Sequence, residues 1–119
     1  MRSTILMAVF STALFSAGSL LREAPAKAGR KVNPFSGDAA AIRAGEKLYQ
    51  RECASCHGLS GEGAGKRPPL AARPVAGSSP GAIEWVIRTG ASRRGMPSFS
   101  HLPEQQRWQI ITYLQRPGA

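Results

Sequence analysis

Cys53-Ala54-Ser55-Cys56-His57 is the stretch on which the reading of this chain turns. Two thiols three positions apart, with an imidazole directly after the second, can hold a haem through two thioether bonds and one axial iron ligand. A helical turn brings positions 53 and 56 to one face, so both sulfurs reach one porphyrin edge and His57 is tethered beneath the iron. So short a motif arises by chance, and it needs three companions: an export signal, a second axial ligand and an apolar shell of haem size.

Upstream of the motif, Asp38 is a helix N-cap, and from Ala39 to Glu52 the residues are good helix formers. Ile42, Gly45, Tyr49, Cys53 and Cys56 recur at steps of three and four, giving one face that ends in the attachment site. Gly45 inside this helix costs up to about 1 kcal/mol relative to alanine, which a close crossing with another helix would justify. A tolerated surface glycine is the plainer alternative.

Further upstream, Gly29 to Gly37 holds Arg30, Lys31 and Pro34 and reads as an extended lead, so residues 29–38 precede the domain proper at 39–119. Ile5 to Leu21 is apolar, Arg2 precedes it, and small-residue sites follow at Ala24-Pro25-Ala26 and Ala26-Lys27-Ala28. That is the layout of a secretory signal peptide over residues 1–28, cut near 26–28. An uncut membrane anchor is the competing reading, but Ser11, Thr12, Ser16, Gly18 and Ser19 dilute a stretch already near the lower length limit for a span. The expected location is therefore periplasmic.

Downstream, Gly58 to Gly81 loses helical periodicity and is punctuated by glycine and proline, so it is a long loop wrapped around one side of the haem. Pro68-Pro69-Leu70 is its stiffest piece, and Leu70 its clearest apolar contact. A short helix spans Gly81 to Thr89 after Pro80, with Gly90 as a left-handed cap; Ile83, Trp85, Val86 and Ile87 make it a core helix. A second loop, Ala91 to Ser100, leads to a last helix from near Pro103 to about Gln115. Trp108, Ile111 and Leu114 line one face of that helix, Ile110 and Tyr113 widen it, and the Gly45 face of the first helix is its natural partner.

The sixth iron position decides between carrying electrons and binding small molecules. Met1 and Met7 leave with the signal, so Met96 is the remaining methionine, in a loop stiffened by Pro97 with the Phe99 ring near enough in sequence to cover the haem edge. Met96 is read as the distal ligand. His101 is the rival, and would give a bis-histidine haem of lower potential.

The 119 residues make one domain, with 16 Lys and Arg against 7 Asp and Glu. Removal through Ala28 takes away Arg2, Arg22, Lys27 and Glu23 and leaves 13 basic against 6 acidic residues, a charge of +7. A surplus of this kind suits an anionic membrane or an acidic protein partner; nucleic acid is set aside because no basic helix or stacking platform is visible. Lys66, Arg67, Arg93 and Arg94 fall in the two loops and form a candidate positive rim. With both cysteines inside one motif no disulfide framework exists, and a covalent apolar disc supplies core that so short a chain lacks.

These residues resemble the class I c-type cytochromes over nearly all of the sequence after the signal. Cys53 to His57 matches the attachment motif; Gly45 and Tyr49 resemble the glycine and aromatic of that family's first helix; Ile110 and Tyr113 match positions of its last. The resemblance implies the cytochrome c fold, all-α, with about three to four helices and long loops around one covalent haem c. It also implies that Pro68 lends its carbonyl to the free N–H of His57, that Leu70 packs on the haem, and that Gly95-Met96-Pro97 with Phe99 forms the distal loop. Leu102-Pro103 departs from the usual cap of the last helix, and the doubled Pro68-Pro69 departs from the usual single proline.

The expected function is a periplasmic one-electron carrier, monomeric or in transient complexes, cycling Fe(II) and Fe(III) between redox proteins with acidic docking surfaces and catalysing no reaction of its own. The alternatives are a gas-binding or catalytic haem with a displaceable sixth ligand, or the cytochrome subunit of an exported dehydrogenase. Zinc bound by Cys53, Cys56, His57 and His101 lacks the paired spacing of structural zinc sites, and a thioredoxin-like dithiol lacks the strand and helix alternation.

Overall fold

Asp38 opens the helix that carries the cysteine motif. Its carboxylate accepts the Ala41 N–H at 2.7 Å, satisfying one of the donors that a helix start leaves open. The computed structural model describes residues 17–71 and 73–119, and among these residues the architecture is all-α, without strands. The helices are α1 (Ala17–Leu21), α2 (Ala26–Gly29), α3 (Ala39–Glu52), α4 (Ala54–His57), α5 (Pro80–Thr89) and α6 (Glu104–Leu114), with 3-10 turns at Val75–Gly77 and Ser92–Arg94.

The three long helices stand where hydrophobic spacing puts them. The run toward the motif is not continuous, however: Cys53, at φ −119°, separates α3 from the single turn of α4. Gly90 differs in detail too. Its φ of 70° is positive, but its ψ of −174° is extended, so it ends α5 by turning the chain outward rather than as a left-handed cap. Ser98 N lies only 2.6 Å from where a Cβ at position 90 would stand, so glycine is required there on two counts.

α3 and α6 cross at Gly45. A Cβ at that position would collide with the Gln109 carbonyl and stand 2.9 Å from Tyr113 Cβ, so the glycine is what lets the two backbones meet. Next to the crossing, the Tyr49 and Tyr113 rings pack with centroids 5.4 Å apart and planes tilted by 47°, a geometry that aromatic pairs favour. Tyr49, Ile110 and Ile111 are fully buried. Burial also pushes the Tyr49 phenol up to about 12, with the neighbouring Cys53 and Tyr113 adding to the shift, so its hydroxyl stays a donor and bonds the Gly58 carbonyl at 2.7 Å.

α6 has no side-chain cap, as Leu102-Pro103 foreshadows. Arg107, which can only donate, does not replace the cap but ties the residues ahead of the helix: its guanidinium donates to the Leu102 carbonyl, and its Nε donates to Glu84 Oε1 of α5 at 3.1 Å. Glu84 is completely buried and also accepts from Arg88 Nε at 3.1 Å. One carboxylate thus joins α5 to the start of α6.

The stretch read as a signal peptide lies outside the described residues up to position 16. Its remainder forms α1 and α2, and among the described residues no helix is long and apolar enough to cross a membrane. Residues 30–38 have neither helix nor strand, but Asn33 is buried within them.

The crossing can be tested on the haem-loaded protein. Gly45→Ala forces α3 and α6 apart and should cost about 1–3 kcal/mol, the usual range for overpacking, seen as a lower urea midpoint at unchanged slope.

Candidate functional site

α4 is a single turn, yet it aims the motif into the interior. Both N–H groups at its end fold back on one carbonyl, Cys56 N at 3.2 Å and His57 N at 3.0 Å from Cys53 O. Cys53, Cys56 and His57 then line one side of a cavity of about 390 Å³, within the usual range of about 300–1,000 Å³ for small-molecule sites. Pro68 and Leu70 reach it from the loop after α4, and Met96, Pro97 and Phe99 from the loop after α5.

The structure therefore brings Cys53, Cys56, His57, Pro68, Leu70, Met96 and Phe99 to one cavity. His101 stays outside the cavity wall: it is exposed, with its ring 6.0 Å from that of Phe99. Arg93 stays out as well, whereas Lys66, Arg67 and Arg94 reach the cavity rim. Arg94 also pairs with Glu23 at 3.2 Å.

His57 Nδ1 lies 2.8 Å from the Pro68 carbonyl. A carbonyl only accepts, so Nδ1 carries the proton and Nε2 keeps a lone pair for a metal. The contact falls on Pro68 and not on Pro69. The loop reaches this position because Gly61 turns it back, its carbonyl accepting from Leu70 N at 2.8 Å and Ala71 N at 3.1 Å.

Met96 is fixed through its own backbone. Its carbonyl accepts from Ala91 N at 2.9 Å and its N–H donates to Ala91 O at 3.1 Å, closing the loop at its base. Beyond it, Phe99 N donates to Ile87 O at 2.9 Å and Ser98 Oγ to Arg88 O at 2.6 Å. The loop is sewn to the end of α5, and the Met96 side chain, half-buried, faces the cavity.

Cys53 is buried enough that its thiol is pushed up to about 12, first by desolvation and then by the charges of Glu52 and Cys56. An anion here would be costly. A thioether carries no charge, so covalent attachment is compatible with this burial. The wall behind is apolar, built from Val75, from Ile83, Val86 and Ile87 of α5, and from Ile110 and Leu114 of α6, with Leu20 and Leu21 of α1 beside them. A planar apolar disc fits such a wall.

Sequence reasoning read Ile83, Val86 and Ile87 as plain core. They are core and cavity wall together, since with so few helices one apolar face serves both purposes. Trp85 is half-buried and does not line the cavity. Among the described residues no three His, Cys, Asp or Glu side chains converge on a cation site, so the zinc arrangement is not assembled.

A helical shell around a cavity, entered by both sulfurs of a Cys-Ala-Ser-Cys-His turn and by a histidine oriented through its other nitrogen, is that of a c-type cytochrome. Residues 40–114 match the family described as cytochrome c oxidase, cbb3-type, subunit III, and the chain belongs to that family. Membership brings one covalently bound haem c with its iron and a role in electron transfer. No curated protein and no solved structure gives a match.

Covalent attachment has a direct test. In acidified organic solvent the pigment should stay with the polypeptide of the wild type, and leave it completely in a Cys53→Ser, Cys56→Ser double variant.

Proposed function

We propose that this protein is an exported one-electron carrier in which His57 and Met96 are the axial ligands and Cys53 and Cys56 the covalent anchors. The bound haem supplies reversible transfer of a single electron at its iron. The observation that carries this reading is the convergence of an oriented imidazole, His57, and the thioether of Met96 on one apolar cavity.

The residues divide the work. Pro68 holds His57 in one tautomer and one orientation, which would leave its Nε2 free to hold the iron of a bound haem. Met96 offers a soft sulfur that favours the reduced metal and raises the potential relative to a second imidazole. The bonds between Ala91 and Met96, with those of Ser98 and Phe99 to α5, hold the distal loop in place and would keep Met96 at hand for the iron of a bound haem. Leu70, Phe99 and the isoleucines of α5 line the cavity and would exclude water from a haem bound there. A ligand set that does not rearrange lets electrons move without waiting for the protein.

Lys66, Arg67 and Arg94 at the cavity rim suit a partner with an acidic surface, because a charged rim accelerates encounter more than it tightens the complex. Export accords with the signal-like N-terminus. The family's description names an oxidase subunit, which keeps a second arrangement in view: a cytochrome seated permanently in a larger complex. Size exclusion of the native extract separates the two, since a carrier elutes as a small protein and a subunit does not.

Two outcomes are expected. The oxidised wild type shows the far-red charge-transfer band of thioether sulfur bound to ferric iron, and Met96→Ala loses it, gains rapid carbon monoxide binding when reduced, and has a lower potential. Carbon monoxide binding to the reduced wild type as fast as to Met96→Ala would instead mark a gas-binding site. With an acidic redox partner, the second-order rate constant should fall steeply as ionic strength rises from about 0.01 to 0.15 M, as the screening length shrinks from about 30 to 8 Å.

A further inference from the structure

Residues 26–33 are built into the domain in a way that bears on where the exported chain begins. Gly81, in the first turn of α5, packs against the Ala28 carbonyl; a Cβ at position 81 would collide with that oxygen and stand 3.0 Å from Lys31 N. Glycine costs up to about 1 kcal/mol in a helix relative to alanine, and the close approach of α2 is what it accommodates here. Next to it, Ser79, which caps α5 by accepting from Ala82 N, donates its hydroxyl to the Gly29 carbonyl. A few residues on, buried Asn33 donates from Nδ2 to Thr112 Oγ1 of α6 at 2.9 Å, while its Oδ1 accepts from Phe35 N at 2.9 Å.

Both A-x-A sites of the sequence fall inside this clasp. A cut after Ala26 severs α2 at its first residue. A cut after Ala28 removes the carbonyl that Gly81 accommodates and leaves an ammonium group at Gly29, against the start of α5, where a helix N-terminus disfavours positive charge.

We propose that the mature chain retains α2 and begins at or before Pro25, so that neither Ala24-Pro25-Ala26 nor Ala26-Lys27-Ala28 is the processing site. The proposal rests on the reading that the chain is exported. The clasp docks on the start of α5, the helix whose other end anchors the distal loop at Ile87 and Arg88.

The test is the intact mass and N-terminal sequence of the protein from periplasmic and membrane fractions of a host that matures haem c. A chain carrying the mass of one haem and starting at or before Pro25, Met1 included, supports the proposal. A haem-bearing chain starting at Lys27, Gly29 or any later residue overturns it. A haem-free chain that keeps Met1 and stays in the cytosol overturns the export reading itself, and the proposal with it. On the full haem-loaded chain, Gly81→Ala should speed tryptic cutting after Lys27, Arg30 and Lys31 roughly tenfold by unseating α2. Asn33→Ala, which removes only the tie to Thr112 and Phe35, should speed it in the same direction. Cutting rates unchanged in both variants would show that the clasp is not formed.

Discussion

The missing side chain at position 45 lets two helices meet backbone to backbone, and the rest of the domain is placed by that meeting. With α3 pressed onto α6 at Gln109, the end of α3 delivers Cys53 and then α4 to one side of a cavity whose opposite support, Ile110 and Leu114, belongs to α6. A chain without a disulfide framework needs such a fixed crossing, because it has few other ways to hold two distant segments around a rigid ring. The tyrosine pair beside the crossing extends the grip: Tyr49 packs on Tyr113 and uses its hydroxyl to hold Gly58, the residue at which the chain leaves the attachment motif.

The second organising element is electrostatic. Glu84 is buried without water access between two guanidinium groups, and Arg107 spends another donor on Leu102, just ahead of α6. A carboxylate is retained in such a place only if nearly all of its hydrogen-bonding capacity is met, and removing one partner would leave an uncompensated charge. What the arrangement secures is relative position. α5 carries the distal loop and part of the cavity wall, α6 carries another part of that wall, and Glu84 with Arg107 fixes the one helix to the other.

Much of this was legible in the sequence because it was local or periodic. The attachment motif is five consecutive residues, the three long helices declare themselves by apolar spacing and by Asp38, Pro80 and Pro103, and Gly45 stood out as a glycine a helix would not choose without reason. Pro68, Leu70, Met96 and Phe99 all reach the cavity, although the roles of the first two came from resemblance and not from spacing. What stayed hidden has no local signature. The Glu84–Arg107 pair spans 23 positions and each member looks like an ordinary charged residue of an amphipathic helix. Asn33 finds Thr112 across 79 positions, and Gly81 is explained by a segment that composition alone assigns to a discarded leader. Of the four cations expected at the rim, Arg93 missed because the short turn at Ser92–Arg94 sends successive side chains in different directions.

The pinched base of the loop after α5 has a use outside electron transfer. Ala91 and Met96 exchange two backbone hydrogen bonds, and the residues between them form an exposed tip at which a side chain on Gly95 would meet no neighbouring atom. Arg94 and Gly95 themselves line the cavity, and Gly95 turns at a φ of 85° that disfavours a side chain, so the apex is not independent of the methionine beside it. Ser92 and Arg93, exposed and outside the cavity wall, are the positions of that turn at which a tether or fluorophore would disturb the methionine least.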